Sequence, residues 1–331
     1  MITHARHTKI IGWIARAVEL QLFLSLVSLP VLIAWGLPFS LVTIASNLIF
    51  GPMLSIFLLI SSVIFFLELL SLPNGLLIGC LEYVTGFWRW VLSWHQPLWL
   101  VGFAKPHLFF LCVTVICAFC VASRTSWSYR QRVGTYLIMF ISLWIVCGWY
   151  SAPVCPMYHV PVNNGSVIVI RHAGTTIVID PGYIAQRPSA QSWLQYTFVS
   201  WLISTTGSLV IDHLILLQPG SRIFEAVTTV CPKARIKNIY VPWWQGDMSC
   251  SAHRNFCLMK EAVEQQGGKL KRCGSFTVKI PISPDAYLKL VPLGVIKVAD
   301  YCYHDVGVEC SIDKEMVAFY AAKHVDTIQV D

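Results

Sequence analysis

Between residues 20 and 67 the chain carries no charged side chain, a run of 48 positions. A helix crossing a bilayer core needs only about 20 apolar residues. At least two membrane passages fit in this run, with the chain turning near Trp35-Gly36-Leu37-Pro38. Residues 11–36 read as one passage, and Arg16 and Glu19 near its start are spaced to pair one turn apart. Gly51-Pro52 interrupts the next stretch. Proline removes a backbone donor and disfavours helix in the residue before it. Residues 41–50 therefore read as a short re-entrant or half-spanning helix and 53–72 as a full span; one long helix kinked at the proline is the alternative. Broken backbone at membrane depth survives only where protein or water satisfies it. That makes Asn47 and Pro52 channel candidates, with helix–helix hydrogen bonding as the other use of Asn47.

Residues 74–94 interleave Glu82, Arg89, Trp88, Trp90 and Trp94 with apolar positions. Tryptophan concentrates at membrane interfaces, so this segment reads as an amphipathic helix at headgroup level. Residues 106–121 and 133–149 are two further spans, separated by Arg124, Arg130 and Arg132 with no acidic residue among them. The positive-inside rule places this loop in the cytoplasm and delivers residue 155 to the outside. With four spans counted, the N-terminal tail with Arg6, Lys9 and Arg16 would then also lie outside, which weighs against the rule.

Composition divides the chain. Residues 1–150 hold eight Lys/Arg and three Asp/Glu; residues 151–331 hold sixteen and fourteen. The second part has the charge content of a soluble domain. The expected domains are a polytopic membrane region, 1–152, and a soluble domain, 153–331. Twelve cysteines, five and seven in the two parts, permit disulfides without requiring them. The Cys117/Cys120 pair lies in an apolar stretch without a second pair to complete a zinc site.

In the soluble part, the β-branched runs at 166–171 and 175–180, separated by His172-Ala173-Gly174, form a hairpin pattern. Helices are expected at 191–206 and 252–266, and strands at 212–217, 236–241, 287–291 and 316–321. Sheets covered by helices follow.

FSLVTIASNLIFGP (residues 39–52), with the apolar segment before it, resembles the membrane segment of ComEC-type competence proteins. VPVNNGSVIVIRHAGTTIVIDPG (160–182) resembles the opening hairpin of the metallo-β-lactamase-like domain that follows in that family, and DHLILLQPGSRIFEA (212–226) falls where its metal motif stands. The resemblance implies a multi-span α-helical membrane domain followed by a soluble α/β domain of αββα architecture. It also implies an inner-membrane, multi-pass protein that passes single-stranded DNA during natural transformation; the positive-inside count above puts its soluble domain on the external or periplasmic side. Other proteins of the competence machinery would be its partners.

The departures from the family decide the expected chemistry. The acidic opening motif is replaced by Pro161-Val162-Asn163-Asn164-Gly165-Ser166. The metal-ligand positions hold Gln218, Gly220, Arg222 and Ile223, and Arg222 would bring a cation into the metal pocket. Catalytic zinc needs about three protein ligands, so the expectation is no metal, no cofactor and no catalysis. Asp180 and Gly182 do match family positions, where Asp180 alone orders the following turn. Two alternatives stay open. One is a membrane-anchored nuclease or hydrolase with a metal site rebuilt from His172, His213, His253, His304, Asp212 or Asp305. The other is a membrane scaffold or degenerate remnant.

Single-strand binding uses cationic grooves and stacking platforms. Trp243-Trp244 are stacking candidates, and Lys233, Arg235 and Lys237 alternate into a strand that could carry charge on one face. Lys269, Lys271 and Arg272 form a similar group. Core packing of the tryptophans and a solvated basic face are the competing readings.

Overall fold

A chain segment with no polar side chains to spare satisfies its backbone most completely as helix, and the first part of the chain is built that way. The computed structural model describes residues 2–40, 42–92, 100–150, 157–162, 165–246, 249–273, 277–283, 286–298, 301–312 and 315–319. The residue 155 boundary, Trp94, Asn163, Asn164 and Ala321 of the sequence expectations lie outside the described residues. Contacts divide the chain into two units, residues 1–101 with 106–147 and residues 102–105 with 148–331.

The first unit contains α1 (Ile2–Ala34), α2 (Val42–Leu69), α3 (Gly75–Leu92), α4 (Leu108–Ala122) and α5 (Tyr129–Tyr150). Two short strands, β1 (Phe39–Ser40) and β2 (Leu100–Val101), pair antiparallel. Three stretches are long and apolar enough to cross a membrane: Ala15–Ala34, Ile49–Leu69 and Tyr129–Trp149. α4 is apolar but shorter.

Three local expectations need correction. α2 runs unbroken through Gly51-Pro52, so of the two readings of this stretch the single long helix holds and the re-entrant break does not. One missing donor does not outweigh the other backbone bonds of an apolar helix, and the Ser55 hydroxyl donates to the Gly51 carbonyl at 3.0 Å. α3, expected as an amphipathic interfacial helix, has a packing partner that its sequence did not show. It returns antiparallel along α2 after a turn at Ser71 (φ 54°), with the Trp88 ring 5.4 Å from Phe50 and 6.2 Å from Phe57. Finally, Glu19 pairs with Arg132 of α5 at 3.1 Å rather than with Arg16, which is exposed. Glu19 lies on the helix face that meets α5. Leu22, Leu26, Ala118, Val121 and Tyr136 close the core beside it.

The second unit opens with β3 (Met157–Val162), β4 (Gly165–His172) and β5 (Thr175–Asp180). Ala173 and Gly174, both at positive φ (47° and 79°), make the two-residue turn whose twist suits a hairpin. A short α6 (Tyr183–Gln186) follows. The expected helix at 191–206 is in three parts: α7 (Ala190–Ser192), a π-helical stretch (Trp193–Phe198) and α8 (Val199–Thr206). Then come β6 (Val210–Leu216), α9 (Ser221–Val230), β7 (Arg235–Pro242), β8 (Trp244–Gly246), α10 (Cys250–Gln265) and β9 (Lys269–Cys273). The strands β10 (Val278–Ser283), β11 (Ala286–Val298), β12 (Tyr301–Ile312) and β13 (Glu315–Phe319) complete it.

These strands form two sheets. One has the order β3-β4-β5-β6-β7-β9, antiparallel through β5 and parallel from β5 to β9. The other has the order β10-β11-β12-β13, with β8 added to β12. Strand alternation puts Ile168, Ile170, Ile177, Ile179 and Ile215 of the first against Leu288, Leu290, Val306 and Val308 of the second. On its other face Val178, Leu214 and Leu216 meet Leu194, Phe198, Ile223 and Val227 of the helices. The result is a mixed α/β unit with one helical layer over a two-sheet sandwich. A second helical layer, on the far side of the five-stranded sheet, is not among the described residues.

Candidate nucleic-acid interface

β5, β6, β7 and β9 are parallel, so their carboxyl ends lie along one edge of the sheet, the usual ligand edge of open α/β sheets. Two groups of side chains occupy it. The first surrounds Asp180, which is 1% exposed. Its Oδ1 accepts the backbone N–H of Gly182 (3.0 Å) and Ile184 (3.4 Å). Burial pushes the carboxyl up to about 6, against those N–H groups, which hold it down. Gly182 sits at φ 111°, and a Cβ there would collide with Gln218 Oε1. The Leu217 N–H donates to the Asp180 carbonyl, tying the two loops together. Asp180, Gly182 and Gln218 are thus brought together, and Gln218 Nε2 is buried with no hydrogen-bond partner among the described residues.

Gly220 follows in extended conformation as the residue before α9. Helical periodicity then turns Ile223, Phe224 and Val227 inward and leaves Arg222 exposed. The expectation that Arg222 would place a cation in the pocket is therefore corrected: its helix points it to the surface.

The second group lies where the chain passes from β7 of one sheet to β8 of the other. The Trp243 N–H donates to the Cys273 carbonyl at 2.6 Å, and the Trp243 carbonyl accepts from the His304 N–H at 2.8 Å. The two tryptophans differ. Trp244 packs edge-on to Phe256 at 4.8 Å and near Phe224 at 6.2 Å, whereas Trp243 is 41% exposed. Arg272, at the end of β9, brings its guanidinium within 5.2 Å of the Trp243 ring, 4.8 Å of Trp244 and 5.3 Å of Phe256. An exposed indole beside an exposed guanidinium offers a stacking face and a phosphate-binding cation together.

The basic residues leading into and along β7 are elsewhere. Lys233 lies over the Tyr196 ring at 4.2 Å, and Lys237 pairs with Asp212 at 2.7 Å. Arg235 starts the strand, its N–H bonded to the Leu209 carbonyl. Lys237 and Trp243 are six residues apart along the strand, about 20 Å. The tryptophans and these three cations therefore do not form one surface. Lys271 and Arg272 also separate: Lys271 reaches the Tyr240 hydroxyl at 3.4 Å, and only Arg272 joins the tryptophans. Charge grouping in the sequence gave no means of telling these two apart.

The histidines are dispersed. His213 approaches the Tyr240 hydroxyl (3.3 Å) and has its pKa lowered, by burial first and then by Lys271 and Lys237, with Asp212 opposing. Burial pushes the Tyr240 hydroxyl up to about 12. His253 lies 3.7 Å from Cys257 Sγ. Among the described residues, no three His, Cys, Asp or Glu side chains come together as a metal site would need. A cavity of about 650 Å³ opens beside α9 and α10, with Glu225 and Arg254 on its wall.

In the first unit Asn47 and Pro52 are both exposed on α2. By the 3.6-residue period Asn47, Gly51, Ser55 and Ser62 share one side of that helix, and all are exposed. No protein-family model matches this chain, and no curated protein sequence matches it.

Proposed function

We propose that the protein is a membrane component of DNA uptake of the ComEC type, passing single-stranded DNA across the inner membrane. In this account α2 lines the path with Asn47 and its neighbouring small residues. The second unit is a metallo-β-lactamase-like module that binds the strand and does not catalyse. The observation that carries the proposal is the Trp243–Arg272 pair at the carboxyl edge of the parallel strands. The two-sheet sandwich with a helical layer, and the meeting of Asp180, Gly182 and Gln218 at that same edge, support the lactamase-like reading.

The helix packing supports an orientation. Glu19 faces Arg132 and Phe23 faces Tyr136 (ring centroids 6.2 Å apart), so equal steps along α1 and α5 keep the partners matched and the two helices run parallel. The N-terminal tail and the Arg124–Arg132 loop then lie on one side, and both obey the positive-inside rule. In this account α3 crosses back beside α2, so five passages replace the four counted from the sequence and the obstacle disappears. Residue 150 emerges on the external side, where an incoming strand would meet the second unit.

The test is binding of a fluorescein-labelled oligothymidylate to the full chain in detergent, followed by anisotropy. Trp243→Ala should weaken binding by about 1–3 kcal/mol, and affinity should fall with added salt. Equal affinity in wild type and variant would remove the interface.

A further inference from the structure

The Arg-rich turn before α5 contains a second site. A cavity of about 300 Å³ is lined by Trp127, Arg130, Gln131, Gly134, Thr135 and Ile138. Apart from Trp127, these residues recur on one side of α5 at three- and four-residue spacing, starting at the end of the 129–149 span. Their chemistry is graded. Arg130 is exposed, its Nε donating to the Tyr129 hydroxyl at 3.2 Å. Gln131 Oε1 accepts from the Ser128 N–H at 2.9 Å, which fixes the floor of the turn. Further along the helix Gly134 has no atom within 4 Å of where a Cβ would sit, and Ile138 is 65% exposed. The groove therefore runs from a cation to a bare apolar slot.

The charges of the turn are unequal. Arg132 is taken by Glu19, whereas Arg124 and Arg130 have no acidic partner among the described residues. Unneutralised Arg at the end of a spanning helix attracts anionic headgroups, and a basic pocket beside such helices is a headgroup site. Trp127 packs against the core of α1, α4 and α5 and offers an amphipathic ring at that level.

We infer that this groove seats one anionic phospholipid, with its phosphate on Arg130 and an acyl chain along Gly134 and Ile138. The inference rests on α5 spanning a membrane. Two features select a lipid over free phosphate: the apolar slot continuing from the cation, and an opening narrowed by no side chain at Gly134.

The experiment is native mass spectrometry of the full chain released from detergent micelles containing phosphatidylglycerol and phosphatidylcholine in equal amounts. Wild type should retain one phosphatidylglycerol in preference to phosphatidylcholine. Arg130→Gln should reduce that preference about fivefold, with Arg130→Lys restoring most of it. Gly134→Leu should displace both lipids while the chain keeps its far-ultraviolet circular dichroism. Unchanged retention in Arg130→Gln and Gly134→Leu would overturn the inference. Displacement of the retained lipid by soluble glycerol phosphate would overturn it in favour of a phosphate site. Release of the chain from cell membranes by alkaline carbonate would instead strike the spanning reading beneath it.

Discussion

Glu19 Oε1 lies 3.1 Å from Arg132 Nη1, joining α1 to α5 at the level where both helices begin their apolar stretches. The side chains are 15% and 26% exposed, so neither charge is well solvated. Removing one partner strands the other. Glu19→Gln and Arg132→Gln should each destabilise the full chain in detergent by about 1–3 kcal/mol. The double variant should cost less than the sum of the two, as a thermal double-mutant cycle would show.

Together with the Phe23–Tyr136 contact, this pair shows α1 and α5 running parallel, which on the proposed spanning arrangement puts the N-terminal tail and the Arg124–Arg132 loop on one side. An N-terminal tag and a tag inserted after Arg124 should be cleaved by protease from the same side of sealed vesicles. Cleavage from opposite sides would refute the parallel packing.

Asp180 predicts a pH dependence. Its carboxyl is raised from 3.8 to about 6 in the folded chain, chiefly by burial. The folded state thus holds a proton that the unfolded state releases near pH 4. The sign follows: this group favours folding at low pH, and its contribution is lost as pH rises from about 4 to about 6. Asp180→Asn keeps an acceptor for the Gly182 N–H. It should flatten that slope and leave the second unit about 1–2 kcal/mol more stable than wild type at pH 7, as read by thermal unfolding across pH.

Gly182→Ala should destabilise the second unit by about 1–3 kcal/mol. Two causes act: φ 111° is strained for any side chain, and the new methyl meets Gln218. Gln218→Ala in the same chain should recover the steric share only. Complete recovery would mean that the backbone conformation carries no cost.

Much of the architecture was legible from pattern. The uncharged run of 48 residues required apolar helices of membrane-crossing length, and α1 and α2 each contain one. The β-branched runs around Ala173-Gly174 demanded a hairpin, and β4 and β5 pair as one. Other features were hidden because they depend on contacts distant in sequence. Pro52 reads as a break locally, but the rest of the ladder holds the helix. Arg16 and Arg132 are equally good partners for Glu19 by charge, and only helix packing chooses between them. Arg272 belongs to Trp243 because β9 pairs with β7, with Pro242 opposite Cys273, a register that no spacing rule supplies. β11 outruns the expected 287–291 for a related reason: Pro292, Leu293 and Gly294 look like a stop, but a register shift there lets its ladder with β12, a strand that was not expected, continue.

The most direct test of the account is uptake itself. Cells lacking this chain should fail to bring labelled DNA into the cytoplasm, and the intact gene should restore entry. A gene carrying Trp243→Ala together with Arg272→Gln should restore it only weakly while the protein accumulates normally in the membrane. Undiminished entry of labelled DNA in the deletion strain would contradict the account.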